Sequence, residues 1–328
     1  MQDARGGGWA MRLRPCASAP RVPHHSLMIQ QSTPARPLIN IERLGVYARD
    51  EKALDAAQRL RRFLDKTRIE ARLLEVEGPG TVFSTALAPA GELQPHHLSG
   101  EFPDASDKDW TPDVVVALGG DGTVLRTLCL FPTVPVLAVN FGTVGFLTAG
   151  DQDDLSHMIF RLLEGDYFIE ERIILAATCR DCTHDIINEV VLKGTTKMIS
   201  VQVLIDGTHV HTIRGDGVIV GTPTGSTSYL LSTGASIVVP TVDVMILSGI
   251  NEYRFSSRSL VLPASSQIQL RVQENTRESD IYISYDGQER RTLEVGDEVL
   301  VTRSEKKARL IFFDRHAFFR NLKTRLDW

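Results

Sequence analysis

The chain of 328 residues carries 36 Lys and Arg against 41 Asp and Glu, a formal net charge of −5, and 42% of its residues are hydrophobic. This is the composition of a globular protein, and it excludes a disordered, collagenous or disulfide-scaffold protein. The four cysteines predict no disulfide framework and favour a reducing compartment. No apolar run reaches the roughly 20 residues that cross a bilayer, and no basic block is present, so we expect neither a membrane nor a nucleic acid as partner.

The first 37 residues differ from the rest of the chain. They contain five arginines and one acid among many Pro, Ser, Ala and Gly residues, which is the bias of an organellar transit peptide. Three prolines between residues 15 and 23 interrupt any amphipathic helix. A disordered tail, or a true start at Met11 or Met28, is therefore the other interpretation. We expect a cytoplasmic protein, or an organellar one if residues 1–37 are a transit peptide.

The next part of the chain alternates between strand and helix. Leucines and alanines recur at helical spacing after the first apolar run, and a second, continuous apolar run is typical of a parallel strand buried on both faces. In chain order the pattern predicts a strand at 41–48, a helix at 49–68, an acidic loop at 75–112, a strand at 114–118, a helix at 124–130 and a strand at 134–140.

From about Tyr167 the pattern changes to short β-rich runs separated by turns, several of them Asp-Gly, which predicts an all-β second domain. The predicted strands are 173–179, 186–192, 200–205, 210–214, 217–220, 259–262, 268–272, 281–285 and 298–302. The chain returns to helix at its end, because Phe318, Phe319, Leu322 and Leu326 lie on one helical face.

A glycine-rich turn with an acid follows the buried strand at 114–118. Gly119, Gly120 and Gly122 lack Cβ atoms, so backbone N–H groups at the start of the next helix can approach a phosphate. Asp121 is a poor phosphate contact, but it suits an acceptor for a hydroxyl proton or a group that helps to hold Mg²⁺. A chance GGDGT, completed by Thr123, is expected only about 10⁻⁶ times per position. The alternative is an ordinary turn with Asp121 as the helix N-cap.

Two further glycine-rich segments follow, NFGTVGFLT at 140–148 and RGDGVIVGTPTGSTSYLLSTGAS at 214–236. The second is dense in small hydroxyl residues, which suits a ribose or a nicotinamide, and Tyr229 is able to stack on a ring. A plain Ser/Thr/Gly loop is the alternative. Asn188-Glu189, at a strand start, is a weaker signal because solvated Asn-Glu pairs are common.

A possible metal motif, Cys179-x-x-Cys182-x-His184, has the spacing of half a zinc site. A single Cys pair favours a turn between two strands instead, so no metal-binding residue is predicted. Arg126, one helical turn after Asp121, either adds positive charge to the site or is a solvated helix residue.

The chain contains, in this order, GGDGT, NFGTVGFLT, Asn188-Glu189, the GDG to TPTGSTSY block, Leu262-Pro263, Asp286-Gly287-Gln288 and FFRNLKTRLDW. This ordered set resembles the NAD kinase family, also called ATP-NAD or polyphosphate-NAD kinases. The resemblance covers residues 41–328. It implies an N-terminal α/β (Rossmann-like) domain, an all-β C-terminal domain and an active site in the cleft between them. We accordingly expect a tail at 1–37, an α/β domain at 38–140 plus 308–328, and a β-rich NAD-binding domain at 141–307.

The resemblance also implies roles for individual residues. Asp121 is similar to the catalytic acid that contacts the adenosine-ribose 2′-hydroxyl of NAD, and Asn188 with Glu189 is similar to the pair that holds the NAD ribose. The other cofactor-binding residues that it implies are Gly119, Gly120, Gly122, Thr123, Lys197, Arg214, Asp216, Thr227, Ser228, Tyr229, Ser232 and Gln288. This chain departs from the family by one residue of spacing before Lys197 and by the absence of a Pro-His before Leu262-Pro263.

We therefore expect an ATP-dependent NAD kinase that makes NADP. NAD and ATP would be its substrates, with Mg²⁺ or another divalent cation, and the protein would be a homo-oligomer. A lipid or sugar kinase with a related GGDGT turn is one alternative, which the Asn188-Glu189 and TPTGSTSY blocks disfavour. A non-catalytic NAD(P)-binding regulator on the same fold is the other.

Overall fold

A computed structural model describes residues 39–48, 51–64, 66–76, 110–142, 145–253, 258–274, 276, 278, 280–287 and 289–326 of the chain. The predicted tail at 1–37, most of the predicted acidic loop at 75–112 and the predicted binding residue Gln288 lie outside these ranges. Within them, no helix is long and apolar enough to cross a membrane.

The described residues form helices and strands in the following order. The helices are α1 (Glu51–Leu64), α2 (Asp121–Leu130), α3 (Leu155–Glu164), α4 (Tyr229–Ser232) and α5 (Ala317–Leu326). The strands are β1 (Arg43–Ala48), β2 (Glu70–Val76), β3 (Val114–Gly119), β4 (Val136–Asn140), β5 (Gly150–Asp151), β6 (Phe168–Cys179), β7 (Cys182–Ile186), β8 (Glu189–Gly194), β9 (Ile199–Ile205), β10 (Thr208–Gly215), β11 (Gly217–Gly221), β12 (Val244–Ile250), β13 (Leu260–Pro263), β14 (Ile268–Val272), β15 (Ile281–Tyr285), β16 (Glu289–Leu293) and β17 (Glu298–Phe312).

The N-terminal region is a layered α/β structure. Strands β4, β3, β1 and β2 lie side by side in that order, and all of them are parallel. Alternate residues of β3 face opposite layers: Val114 and Val116 pack with α1 and α3, whereas Val115 and Ala117 pack with α2. Burial on both faces explains the continuous apolar run of β3. The glycine-rich turn follows β3 on the side of the sheet where the carboxyl ends of the parallel strands meet.

The C-terminal region is made of antiparallel strands in two sheets. The fifteen-residue strand β17 pairs with β4 in parallel and with β6 and β14 in antiparallel, so the α/β layer and part of the β region share one sheet. The second sheet has the order β13-β12-β11-β8-β15-β16. One large apolar core, which includes Val190, Val218, Leu270 and Val301, lies between the sheets. The predicted order of an α/β region followed by a β-rich region is confirmed.

Several element boundaries agree with the sequence pattern, and others do not. Strands β14 and β15 have the predicted ends. Cys179 at the end of β6 and Cys182 at the start of β7 are backbone partners at the tip of a hairpin, so this segment forms the predicted turn between two strands. The single strand predicted at 186–192 is wrong: β7 ends at Ile186 and β8 begins at Glu189. Helix α3 and strands β2, β12 and β16 were not predicted.

Candidate active site

The glycine-rich turn contains one glycine that the protein packing requires and two that it does not. A Cβ atom on Gly119 would lie 2.3 Å from the Thr123 hydroxyl, so the buried Thr123 side chain occupies that space. At Gly120 and Gly122 an added Cβ would meet no atom of the residues that the structure describes within 4 Å. Neither residue has the positive φ that favours glycine. Internal packing therefore leaves these two glycines unexplained, whereas the close approach of a ligand to the backbone explains them.

Asp121 is the first residue of α2 and does not cap it. The N-cap is Gly120, and no side chain caps the helix, so the N-cap interpretation of Asp121 is wrong. The Asp121 carboxylate accepts hydrogen bonds from the backbone N–H groups of Phe146 (2.9 Å) and Leu147 (3.1 Å). A Cβ on Gly145 would lie 1.9 Å from Asp121 Oδ1, so only glycine permits this approach. The second glycine-rich segment is thus bonded to the acid of the first.

The carboxylate of Asp121 keeps acceptor capacity after these two bonds. Each carboxylate oxygen has two lone pairs, and one on each oxygen is used. About a third of the side chain, 31%, is exposed to solvent. A hydroxyl group is therefore able to reach Asp121 without displacing the Phe146 and Leu147 N–H donors.

Asn188 and Glu189 form a buried turn rather than a solvated pair. Asp286 accepts hydrogen bonds from the backbone N–H groups of Ile187 (2.9 Å), Asn188 (2.7 Å) and Glu189 (3.0 Å). Three consecutive N–H groups that point at one carboxylate cannot continue a β ladder, which is the physical reason for the break between β7 and β8. Burial raises the pKa of Asp286 to about 6, against the effect of these hydrogen bonds.

The Glu189 carboxyl is held in an environment that favours its neutral form. Burial, followed by the nearby Asp286 charge, raises the pKa of Glu189 to about 8, although hydrogen bonds from Ser228 and the Tyr229 backbone act in the opposite direction. The Ser228 hydroxyl donates to Glu189 Oε1 at 3.2 Å, and Glu189 Oε2 is buried without a hydrogen-bond partner in the described part of the chain. A protonated carboxyl both donates and accepts hydrogen bonds. This group is therefore suited to a polar ligand.

The third glycine-rich segment packs directly on this turn. A Cβ on Gly225 would lie 2.2 Å from the Asn188 carbonyl oxygen, and one on Gly221 would lie 2.6 Å from it. The Thr222 hydroxyl donates to the Ile187 carbonyl, and the Thr222 N–H donates to that of Asn188 at 2.9 Å. Predicted residues Thr227, Ser228, Tyr229 and Ser232 follow on a 3₁₀ turn and on α4, and they are partly buried or exposed.

A buried arginine that the sequence analysis missed lies between the two groups of site residues. Arg172, on β6, is only 2% exposed, and its guanidinium binds Glu170 and donates to the Thr224 hydroxyl at 3.2 Å. Burial lowers its pKa, whereas the charges of Glu170 and Asp121 raise it. Arg172 therefore links the third glycine-rich segment electrostatically to Asp121. No local pattern distinguishes it from the other charged residues of β6.

Three predicted binding residues lie apart from this region: Lys197 follows β8, Arg214 is on β10 of the first sheet, and Asp216 precedes β11. Lys197 and Arg214 are exposed, and the Asp216 carbonyl accepts from the Gly194 N–H at 3.0 Å, where β8 ends. Glu189 is at the other end of β8, roughly 17 Å away at about 3.4 Å per strand residue. Within one chain, the structure therefore brings Asp121, Asn188, Glu189 and the residues of 222–232 into one region and leaves these three residues apart.

Helix α5 packs against the second glycine-rich segment. Phe318 and Leu322 are buried against Phe146, and the Asn321 amide donates to the Gly145 carbonyl at 3.1 Å. Because Phe146 also donates its N–H to Asp121, the end of the chain supports the loop that holds this acid.

The described residues contain no group of three or more His, Cys, Asp or Glu side chains that could hold a metal ion. Mg²⁺ commonly binds through one or two carboxylates together with substrate phosphates and water. The donor set therefore fits a cation that enters with a phosphorylated substrate, and Asp121 is the acid that lies on the glycine-rich turn.

An open glycine-rich turn at the carboxyl ends of parallel strands, with a part-exposed acid on it and buried polar side chains near it, is typical of a nucleotide-binding protein. Comparison with known proteins agrees. The model of the ATP-NAD kinase N-terminal domain matches residues 44–167, and that of the ATP-NAD kinase C-terminal domain matches residues 187–313. The chain belongs to the ATP-NAD kinase family, the enzymes that phosphorylate NAD, as its motifs predicted.

Individual relatives agree with this assignment. The chain is 34% identical to an NAD kinase of Gemmatimonas aurantiaca over 231 residues, which cover 67% of this chain and 79% of that one. It is 37% identical to an NAD kinase of Thermococcus kodakarensis over 230 residues, 67% and 81% of the two chains.

Solved structures share the fold. An NAD kinase from Archaeoglobus fulgidus in complex with ATP is similar with a TM-score of 0.66 and 25% identity, over 87% of this chain and 98% of that one. Yeast NADH kinase complexed with NADH is similar with a TM-score of 0.70 and 22% identity, over 88% and 89% of the two chains.

Proposed function

We propose that this enzyme transfers the γ-phosphoryl group of ATP to the adenosine-ribose 2′-hydroxyl of NAD, which gives NADP and ADP. The observation that carries the proposal is the turn at 119–123. At Gly120 and Gly122 an added Cβ would meet no atom of the described residues, and Asp121 between them keeps lone pairs that the two loop N–H groups do not use. Phosphoryl transfer depends mainly on positioning and charge stabilisation, and this turn offers both beside an acceptor for a proton.

Asp121 has the chemistry of a general base in this proposal. The ribose oxygen forms a bond to the γ-phosphorus while the bond from that phosphorus to the ADP oxygen breaks. The hydroxyl proton moves to Asp121, and ADP leaves with the electron pair. The Phe146 and Leu147 N–H bonds hold the carboxylate in one orientation throughout.

Asn188, Glu189 and the segment at 222–232 hold NAD in this proposal. Near neutral pH, the raised pKa keeps Glu189 protonated, so it offers a donor as well as an acceptor to a ribose or adenine group. Thr227, Ser228, Tyr229 and Ser232 offer hydroxyl groups and a ring, and Ser228 is hydrogen-bonded to Glu189. The Asp286 carboxylate holds the backbone of residues 187–189 in place through three hydrogen bonds.

We take ATP as the donor because the similar Archaeoglobus fulgidus enzyme was solved with ATP. Mg²⁺ or another divalent cation would accompany the donor phosphates and neutralise the charge that develops on them. Gly119, Gly120, Gly122 and Thr123 would contact those phosphates through their backbone.

The separation of Lys197, Arg214 and Asp216 from the other site residues supports a homo-oligomer. If these residues bind NAD, a second copy of the chain must present them to the pocket near Asp121. The domain limits at 38–140 plus 308–328 and at 141–307, and a cytoplasmic location, stay predictions.

The Asp121→Asn variant tests the proposed base. We expect kcat for NADP formation to fall by about 10²–10⁴-fold, the usual cost of losing a general base. NAD affinity, measured by calorimetry, should change much less, because Asn188 and Glu189 still hold the ligand. An amide accepts through one oxygen only, so the variant also loses one loop hydrogen bond. Asn321→Ala, which removes a different bond to the same loop, is the matched control.

Two results would contradict the role of Asp121 as the base. A folded Asp121→Asn protein with wild-type kcat would refute the base, and an equal loss of kcat in Asn321→Ala would show that loop position alone explains the effect. Incubation of the wild-type enzyme with Mg-ATP and, separately, NAD, NADH, diacylglycerol and fructose 6-phosphate tests the substrate. Phosphorylation of the lipid or the sugar in place of NAD would refute it.

A further inference from the structure

One basic residue of α5 lies beside the proposed base. The Arg325 guanidinium Nη1 is 4.0 Å from Asp121 Oδ2, and its carbon lies 5.3 Å from the centre of the Phe146 ring. The side chain is 26% exposed. Two other cations of the same helix lie outside: Lys323 is exposed, and Arg320 pairs with Asp314 on the surface. Arg325 is thus the inward-facing cation among them.

The contact between Arg325 and Asp121 has little value for stability alone. A separation of 4.0 Å is too long for a hydrogen bond, and part-exposed pairs contribute about 0–1 kcal/mol. The charge of Asp121 already has a second, buried positive neighbour in Arg172. Arg172 is buried and binds Glu170 and Thr224, whereas the Arg325 side chain is partly exposed to solvent, as that of Asp121 is. A ligand at Asp121 is therefore able to reach Arg325.

The position of Arg325 suits a contact with the phosphoryl group during its transfer. A hydroxyl that gives its proton to Asp121 lies within about 3.2 Å of a carboxylate oxygen, and the incoming phosphorus bonds to that hydroxyl oxygen. The three equatorial oxygens of the phosphoryl group then lie near Arg325. A guanidinium has five N–H donors in a planar fork that matches phosphate geometry, and its charge opposes the charge that develops on those oxygens.

We propose that Arg325, from the C-terminal helix, contacts the γ-phosphoryl group in transit and is a further catalytic residue of this enzyme. The inference rests on the proposed function. It makes α5 part of the active site, since Phe318 and Leu322 place the helix and Asn321 ties it to the loop at Gly145. The sequence pattern indicated Arg126 as a possible cation of the site, whereas Arg325 was not predicted, because its approach to Asp121 depends on the packing of α5.

The experiment compares Arg325→Gln, Arg325→Lys and the matched surface variant Lys323→Gln. In Arg325→Gln we expect kcat to fall by about 10²-fold or more, as for other arginines that contact a phosphoryl group in transfer. The dissociation constant of NAD without ATP should stay within about twofold, and binding of inorganic triphosphate, measured by calorimetry, should weaken. Arg325→Lys should keep part of the activity, and added guanidinium ion should restore part of the activity of Arg325→Gln. A structural role would give no such rescue.

Failure of this inference and failure of the proposed function are distinguishable. Unchanged kcat and triphosphate affinity in Arg325→Gln would overturn the inference while NADP formation by the wild type and Lys323→Gln still supports the function. A loss of activity in both Arg325 variants that tracks a lowered melting temperature, without guanidinium rescue, would also overturn it. A wild type that makes no NADP would overturn the proposed function, and weakened triphosphate binding in Arg325→Gln would still support the phosphate contact.

Discussion

Glu189 and Asp286 show how two acids share a buried site. Asp286 is bonded to three backbone N–H groups, and its pKa of about 6 leaves it ionised at neutral pH. Glu189 lies next to it in the same buried region, and its pKa of about 8 leaves it protonated at that pH. Two adjacent buried charges would be costly, so the pair carries one. The polar character of this site near pH 7 depends on a neutral carboxylic acid.

The raised pKa of Glu189 predicts a pH dependence of stability. The folded protein keeps the proton up to about pH 8, while the unfolded chain releases it near the ordinary value of 4.5. Between these limits the folded state binds more protons, so stability falls as pH rises, by up to about 1.4 kcal/mol per pH unit for one proton. Glu189→Gln, which imitates the neutral acid, should flatten this slope in urea unfolding at pH 6, 7 and 8.

The exposed Glu305→Gln variant is the control for this measurement. Its slope should equal that of the wild type. If Glu189→Gln kept the wild-type slope as well, Glu189 would be ionised in the folded protein, and its proposed donor role would be wrong.

At the scale of elements, the turn between β3 and α2 combines packing and binding in five residues. Gly119 makes room for the buried Thr123 side chain, which anchors the first turn of α2 against β3. Among the described residues, nothing fills the space that a Cβ on Gly120 or Gly122 would take at the start of the helix. The N–H groups of that first turn have no partner within the helix and favour an anion. The same five residues thus serve the stability of the helix and the access of a phosphate.

Alanine at two of these glycines should separate the two roles. Gly119→Ala should lower the free energy of unfolding by about 1–3 kcal/mol, because its Cβ overlaps Thr123. Gly122→Ala should leave that free energy unchanged or raise it by up to about 1 kcal/mol, since alanine favours helix. Its Cβ should nevertheless weaken triphosphate binding on the order of tenfold, about 1.4 kcal/mol. Full triphosphate affinity in Gly122→Ala would contradict the phosphate contact.

At the scale of the whole molecule, β17 determines how the two regions are connected. It begins in the β region, where Glu298–Val301 pairs with β14 and most of the strand pairs with β6, and near its end Leu310 pairs with Val136 of the α/β layer. The chain then continues on the α/β side as α5. In the second sheet, Glu189 and Asp216 mark opposite ends of neighbouring antiparallel strands. One protomer therefore presents predicted binding residues at two distant places.

Mixing two inactive variants tests whether a second copy completes the site. Asp121→Asn and Asp216→Asn should each have low activity alone. Random pairing makes about half of the dimers mixed, and if each site takes Asp121 from one chain and Asp216 from the other, half of the sites in a mixed dimer are intact. Coexpression should then restore up to about a quarter of the wild-type activity. The assay is NADP formation by the purified mixture. Activity no greater than the average of the two variants would contradict a shared site.

Much of the fold and of the site was predictable, and the failures have a common origin. The buried run of β3 and the ends of β14 and β15 follow from local apolar patterns. The break between β7 and β8, at Ile187 and Asn188, did not follow from such a pattern, because apolar residues stand on both sides of it in the strand predicted at 186–192. A carboxylate about a hundred residues later in the chain, Asp286, causes this break, and local patterns carry no information about such a partner.

The sequence by itself determined the family, the order of the two regions and the motifs of the site, because glycine-rich turns and hydrophobic periodicity are local properties of the chain. Only the tertiary structure decided which acids are buried, which glycines are open, and that Arg172 and Arg325 lie near Asp121. Burial, charge and distance in these cases depend on segments far apart in the chain, so they arise only once β6, the glycine-rich turns and α5 have packed together.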